Sequence, residues 1–514
     1  MENKRDKKWW LIFSLATVFL WGMLAHAYRF LNGNFSHDSL VELNGAIFGN
    51  THKIALGRIF VPLYRDLLRS DLTLPWLIGV LSLLWIGLSL FLILQILEIK
   101  DTKVAFLAAG ILTANVTVSA TVATYLHDLD CYMFAMLCAV AVVWLWQKKN
   151  MGWLLGAGLL VMSLGIYQSF LFATITLVIF RCVLWLLDGE TFRSVLIRGM
   201  KAIAMILLGG IGYWLALKLV EPVFGVALYS GDYNSLDKMG GVTLETLPSL
   251  IFRTYKYCIY RIWNAPSAYP DFLTKLFTIG LILTGLITLV QGMKTLGWKE
   301  KSLVCLLVGL LPLGVNGIYI LALGGTHDLM VYAIWLLWLL PLVLSDRVWL
   351  PGKTTGMMLR RYVPMVLVAV LLWGNVQLSN GMYLKKEMEQ NAYLSLMTRV
   401  TGRMEACETY VPGETPVVFV GLPQIQNSEV PGFEASLDIT GMESSDVLVF
   451  PNRRRFQTYF DYILNTPLLL AEESEWEQIV TSEQTAQMPS YPSQGCMEMR
   501  DGTLVVKLGE LPDD

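Results

Sequence analysis

Residues 74–97 read LPWLIGVLSLLWIGLSLFLILQIL. No charged side chain interrupts this run, and charge returns at once on its far side with Glu98, Lys100, Asp101 and Lys103. A hydrocarbon core about 30 Å thick is crossed by roughly 20 apolar helical residues. The run is therefore a membrane span, and it makes the fold class that of a polytopic α-helical membrane protein. Working outward, the same criterion picks out Trp9–Tyr28, Val104–Tyr125, Cys131–Trp146, Met151–Ile166, Ser169–Leu187, Ala202–Val220, Phe272–Met293, Ser302–Leu323, Met330–Ser345 and Tyr362–Leu378. About eleven spans are expected. Met151–Ile166 is short and turns through Tyr167, Gln168 and Ser169 into the next run, so the pair also reads as a re-entrant hairpin. A hairpin returns to the side it left and leaves the downstream topology unchanged.

Composition agrees. The 514-residue chain has a mean hydropathy of +0.53 and is 55% hydrophobic and 16% charged, against about 25% charged in soluble chains. That excludes a disordered protein or a nucleic-acid-binding domain and disfavours a wholly soluble enzyme. Seventeen Trp, 21 Tyr and 22 Phe suit interfacial aromatic belts. Seven Cys without a CxxC pair argue against a disulfide scaffold or a zinc ribbon.

Charge is unevenly placed. From Ser379 onward there are 9 Lys+Arg and 21 Asp+Glu, leaving 39−9=30 basic and 41−21=20 acidic residues before it. Two domains are expected: a helical bundle over residues 1–378 and a small α/β domain over 379–514. Lys and Arg bias cytoplasmic loops. Lys4, Arg5, Lys7 and Lys8 precede the first span, and every second connection is basic, whereas Leu126–Asp130 and Gly324–Leu329 carry no Lys or Arg. The expected topology has a cytoplasmic N-terminus and an extracytoplasmic tail. The first apolar run is too long for a cleaved signal and lacks a small-residue cleavage site. In the tail, Pro416–Gly421 and Asp446–Phe450 suit buried strands, Thr503–Leu508 an edge or terminal strand, and Lys385–Met404 a helix. Cys407 and Cys496, its only cysteines, are candidates for a bridge outside the cell.

Three outer segments are long or polar enough to build a site: residues 29–73, residues 221–271 and the tail from Ser379. In the first, Ser36-His37-Asp38-Ser39 opens a helix that Asp38 or Ser39 can cap. A carboxylate just outside a span also meets a lipid-borne substrate from one side and a water-borne one from the other. Further on, Leu56, Ile59, Phe60, Leu63 and Leu67 recur at helical spacing, Arg58, Arg65 and Arg69 take another face, and Pro62 starts or kinks the helix. Such a helix suits phosphate, or simply headgroups. His37, His127 and His327 each precede an Asp, a pattern open to metal binding or acid–base pairing. Asp128 and Asp130, in a loop without a base of its own, offer oxygen ligands for a cation. Tyr167, Gln168 and Ser169 lie at membrane depth, where polar side chains face protein or a cavity. Arg253, Lys256 and Arg261 interleave with Tyr255, Tyr257, Tyr260 and Trp263, a pattern that fits sugar-phosphate contact or interfacial anchoring.

In this order the chain resembles the bacterial type II glucosyltransferase family of the cell envelope, best known for O-antigen modification. The resemblance rests on Ser36-His37-Asp38, on Gly57-Arg58 with the Val61–Arg69 stretch, on Tyr125 and Asp128, and on Tyr167-Gln168-Ser169. It also rests on the ending Met488-Pro489-Ser490-Tyr491-Pro492-Ser493-Gln494-Gly495 followed by Asp501–Leu508. It implies a GT-C-like bundle, a polyprenyl-phosphate sugar donor and an envelope glycan acceptor at the outer face of the cell membrane. Asp38 takes the place of the family's acidic residue and would be the general base, assisted by His37. The neighbour is a histidine where a second acid often stands, so a divalent cation such as Mg or Mn is an option rather than an expectation. Arg58 and Arg65 would hold the donor phosphate, and Asp128 would orient the acceptor or bind a cation. Tyr167, Gln168, Arg253, Lys256 and Arg261 are substrate-contact candidates. A flippase for lipid-linked sugars and a non-catalytic envelope scaffold are the rival readings. Few mid-membrane charges and a large tail weigh against the first. An acid beside an Arg-bearing helix weighs against the second.

Overall fold

The computed structural model describes residues 6–33, 35–36, 40, 50–148, 151–229, 241–347, 355–422, 434–442 and 453–511. His37, Asp38, Ser39, the turn at 231–234 and the expected strand at 446–450 lie outside the described residues. The chain divides into two compact units. Unit 1 comprises Met1–Leu31, Gly49–Val122 and Leu126–Asn380; unit 2 comprises Asn32–Phe48, Ala123–Tyr125 and Gly381–Asp514.

Unit 1 is helical. Among the described residues eight helices are long and apolar enough to cross a membrane: Lys7–Leu31, Pro75–Ile96, Thr102–Thr124, Leu126–Trp146, Gln168–Leu187, Phe192–Phe224, Asp271–Thr295 and Met358–Glu405. The protein is a membrane protein, but the expected eleven spans are not all single helices. Met151–Ile166 becomes the short helix Gly152–Leu164. Ser302–Leu323 breaks into Trp298–Gly309, Leu311–Asn316 and Ile318–Leu321, with Pro312 and Gly317 at the breaks. Met330–Ser345 becomes the short apolar helix Tyr332–Asp346, tightened to a 3-10 turn at Leu336–Trp338. Hydropathy counts apolar residues and does not register a missing N–H or an absent Cβ.

A further break shows how such interruptions are tolerated. The third span is two helices, Thr102–Thr113 and Val116–Thr124. Asn115 sits at the joint: its side-chain oxygen accepts from the Val118 N–H at 3.0 Å and its amide donates to the Ile111 carbonyl at 2.9 Å. The Tyr332 hydroxyl donates to the Leu112 carbonyl at 2.8 Å, and the Asn375 amide to the Ala114 carbonyl at 3.0 Å. Every one of these bonds replaces water that apolar surroundings cannot supply.

Charges collect at the ends of the helices. After Pro75–Ile96, Glu98 pairs with Arg181, and Arg347 reaches both Glu98 (3.6 Å) and Asp188. Arg361 bonds Asp101 at 2.6 Å, and Asp101 in turn accepts from the Lys103 N–H at 2.7 Å. Burial raises the Asp101 pKa, but its bonds to Arg361 and to backbone N–H groups outweigh this and hold it below the ordinary carboxylate value. A helix of 22 residues is about 33 Å long at 1.5 Å per residue. Groups preceding Pro75 therefore belong to a second polar layer.

Unit 2 contains a four-stranded sheet in the order β2-β1-β4-β3: β1 Pro416–Val420, β2 Leu469–Leu470, β3 Met497–Arg500 and β4 Thr503–Lys507. β1 runs parallel to β2 and β4; β3 is antiparallel to β4. Thr503–Leu508 is thus the terminal strand in sequence, one of the two expected alternatives, but lies inside the sheet and not at its edge. Its alternate residues meet two different cores: Leu504 and Val506 join Val417 and Phe419, while Val505 joins Val418 and Val420. Asp501 and Gly502 both have positive φ (46° and 90°), which suits a tight two-residue hairpin between β3 and β4. The expected helix Lys385–Met404 is the second half of one 51-residue helix, Thr355–Glu405.

Close packing yields a stability prediction. A Cβ on Gly165 would collide with the Phe60 ring, whereas one on Gly158, inside the helix Gly152–Leu164 that Gly165 ends, meets nothing within 4 Å. Gly165→Ala should destabilise by about 1–3 kcal/mol. Gly158→Ala should be neutral or stabilising, within the roughly 1 kcal/mol by which Ala exceeds Gly in helices. Thermal unfolding of the two variants in detergent checks the contrast.

Candidate functional site

The helix Val61–Leu68 opens on Pro62, as its fixed φ and missing N–H favour. The arginines and the leucines take different faces, as their spacing implies, and the structure decides which face turns inward. Arg65 is 1% exposed, Arg69 6% and Tyr64 6%, while Leu63 and Leu67 are 50% and 73% exposed. The cationic face turns into the protein and the leucine face turns outward, where an apolar medium would be its solvent.

What draws the arginines in is the turn Leu126–Asp130, which has no basic residue of its own. Asp128 is wholly buried. One of its oxygens accepts from Arg65 Nη2 at 2.6 Å; the other accepts from Lys53 Nζ at 2.7 Å and from the Tyr132 hydroxyl at 3.1 Å. Arg58 stands 3.6 Å from the same carboxylate and donates to the Tyr132 hydroxyl at 2.6 Å. Asp130 accepts from Arg69 Nε at 2.8 Å, and Arg69 also donates to the carbonyls of Leu72, at 2.6 Å, and His127. Burial alone would lower the Arg69 pKa; Asp130 outweighs it and holds the guanidinium more firmly charged than usual.

Aromatic rings frame Arg58. Tyr132 and Tyr167 stack with centroids 4.1 Å apart, and the guanidinium lies 5.4 and 5.3 Å from their respective centres. Gln168 donates to the Tyr213 hydroxyl at 2.8 Å, which donates to the Gly57 carbonyl at 2.9 Å; the Phe60 N–H donates to the Gly165 carbonyl at 2.9 Å. The turn bearing Arg58 is thus bolted to the turn that bears Tyr167 and Gln168. A second arm arrives through residues 326–330. The Tyr167 hydroxyl donates to the Leu329 carbonyl at 3.2 Å, and Arg261 pairs with Asp328 at 2.5 Å and donates to the Thr326 carbonyl at 3.3 Å. Burial lowers the His327 pKa to about 4, with the nearby cations Arg261 and Arg58 adding to the shift against the pull of Asp328.

Of the sequence candidates, Arg58, Arg65, Asp128, Tyr167, Gln168 and Arg261 fall into this network. Arg253 and Lys256 do not; they lie on the exposed side of the helix Leu247–Trp263, beside Phe252, Ile259 and Tyr260. Lys53, Tyr132, Tyr213 and the contribution of Arg69 were missed. Tyr132 was findable, since it lies one turn after Asp128 on the same helix. So was Tyr213, a hydroxyl inside an apolar span. Lys53 carries no such signal. The expectation of a cation at Asp128 meets an arrangement with both carboxylate oxygens already engaged by Lys53 and Arg65. A metal ion there would have to displace them. Among the described residues no three His, Cys, Asp or Glu side chains converge as a metal site.

Chemically, Lys53, Arg58, Arg65, Arg69 and Arg261 meet Asp128, Asp130, Asp328 and, at 3.9 Å from Arg65, Asp71, at one end of a helical bundle. Guanidinium groups held in this way are chemically suited to an anionic group. Residues 27–345, more than half of the chain, match the family described as Glucosyl transferase GtrII, and the chain belongs to that family. It is therefore a membrane glycosyltransferase, with a sugar donor and an acceptor as substrates. No curated protein and no solved structure matches the chain.

Two measurements test the network. Asp128→Ala should destabilise the protein by about 3–5 kcal/mol, because buried cations lose their counter-charge; Asp66→Ala, on the exposed side, should change little. The second concerns pH. His327 binds its proton near pH 4 when folded and near pH 6.5 when unfolded. Between those values the unfolded state holds more protons, so stability falls as pH drops from 6.5 to 4. His327→Gln should flatten that part of the unfolding-temperature profile, an effect on the order of 3 kcal/mol at most.

Proposed function

We propose that the protein transfers a hexose, glucose by the family's name, from a polyprenyl-phosphate donor to a cell-envelope polysaccharide or glycopolymer. The reaction takes place at the outer face of the cell membrane, with the N-terminus cytoplasmic and the tail from residue 379 outside. The observation that carries this reading is the convergence of Lys53, Arg58 and Arg65 on Asp128 in a member of this family.

The chemistry follows from the leaving group. When the anomeric carbon–oxygen bond breaks, both bonding electrons go to the lipid phosphate, which gains negative charge. That oxygen is already a good leaving group and needs no proton. Preorganised cations lower the barrier by meeting the charge as it develops. Arg58 is the cation best suited to reach substrate, being 17% exposed while Arg65 and Lys53 are nearly closed off. Asp38 is assigned the general base on the family resemblance: it takes the acceptor hydroxyl proton as that oxygen bonds the anomeric carbon, and His37 assists. Asp128 holds the cations apart and aimed, and thereby orients the site.

The test uses purified protein, polyprenyl-phosphate glucose and an envelope glycan fraction. Release of free lipid phosphate coupled to glycan labelling is the expected result. Asp38→Asn should abolish transfer, and Arg58→Ala should lower kcat by roughly 10²–10³-fold, the scale for losing one group that stabilises developing charge. Wild-type transfer by Asp38→Asn would remove the base assignment. Movement of lipid between leaflets without transfer would replace the enzyme by a flippase.

A further inference from the structure

Unit 2 contains two cysteines, Cys407 and Cys496, and both are thiols in the structure. They come from distant parts of the chain. Cys407 follows the end of the helix Thr355–Glu405 by two residues, and Cys496 immediately precedes β3. Several contacts bring these segments together. Arg403, one turn before Cys407, donates to the Pro492 carbonyl at 2.7 Å and the Ser493 carbonyl at 3.3 Å, and its guanidinium lies 5.4 Å from the centre of the Tyr491 ring. Cys407 packs on the same apolar core as Tyr491 and Met497, the latter being the residue after Cys496. The Cys496 carbonyl accepts from the Lys507 N–H at 2.8 Å, which fixes its backbone against β4. Burial pushes the Cys496 thiol up, and Cys407 is near enough to add to that shift. No other cysteine belongs to this unit; Cys131, Cys138, Cys182, Cys258 and Cys305 all lie in unit 1.

We propose that Cys407 and Cys496 are a redox pair that closes to a disulfide, tying the end of the long helix to the start of β3. The proposal rests on the outward placement of residues 379–514 given above, since thiols are kept reduced in the cytosol and oxidised outside it. The oxidant is the disulfide of an envelope thiol oxidase. Cys407, the more accessible sulfur, attacks as thiolate and releases one oxidase sulfur as a thiol. Cys496 then attacks the Cys407 sulfur of the mixed disulfide and expels the second oxidase sulfur. The pair gives up two protons and two electrons, and the oxidase leaves as a dithiol. Closure joins two chain segments about 90 residues apart in sequence, which restricts the unfolded chain.

The full-length protein in isolated membranes is denatured in SDS with N-ethylmaleimide, then reduced, and newly released thiols are tagged with a heavy maleimide. The expected result is two protected thiols in the wild type and none in Cys407→Ser or Cys496→Ser. Non-reducing peptide mapping should give one species containing both cysteines. The same chain carries a C-terminal reporter active only outside the cytoplasm. If both cysteines are alkylated before reduction while the reporter is active, the pairing is wrong and the topology stands. If both are alkylated and the reporter is silent, the outward placement has failed and the disulfide with it. Protection of one cysteine alone means a mixed disulfide and also overturns the pairing.

Discussion

A buried carboxylate in an apolar bundle must be paired or it will not remain charged. Asp128 is such a group, and much of the arrangement at its end of unit 1 follows from satisfying it. Its oxygens draw in Lys53 and Arg65, and Arg58 approaches with Tyr132 as intermediary. The helix Val61–Leu68 is consequently oriented by its charges, with its leucines left outside. In water that orientation would waste apolar area. Against lipid it does not, because hydrocarbon takes the leucines at no cost while buried ion pairs satisfy the arginines.

The same constraint governs the backbone. Spans in this protein are broken at Asn115 and Pro312 and between Gly165 and Leu171, and the breaks are not loose ends. Carbonyls released at Asn115 are met by Tyr332 and Asn375. The Gly57 and Gly165 carbonyls are met by Tyr213 and the Phe60 amide. Irregular backbone therefore occurs where side chains can complete its hydrogen bonds, and that is also where polar chemistry can be housed. A broken span and a candidate site are two outcomes of one requirement.

Unit 2 solves a different problem with different means. Its sheet buries apolar residues on both faces, so β1 and β4 carry continuous runs of Val, Leu and Phe rather than an alternating pattern. The long helix contributes Tyr393, Met397, Val400 and Met404 to one of the two cores. The acidic surplus of this segment is compatible with an aqueous surface. The apolar surplus of residues 1–378 is compatible only with lipid.

The sequence by itself determined the membrane class, the family, most of the spans and the place of the compositional boundary. These depend on local quantities: hydropathy over one helix length, charge per segment, and short motifs. It also supplied Arg58, Arg65, Asp128, Tyr167, Gln168 and Arg261 as separate candidates. The tertiary structure decided that they form one network, that Arg253 and Lys256 stand outside it, and that Lys53 belongs to it. It also decided that Thr503–Leu508 is interior. Lys53 and Asp128 are 75 positions apart, and nothing local in either segment encodes their meeting. Ion pairing depends on distance in space, and in a helical bundle that distance is set by how spans pack, which no window along the chain can report.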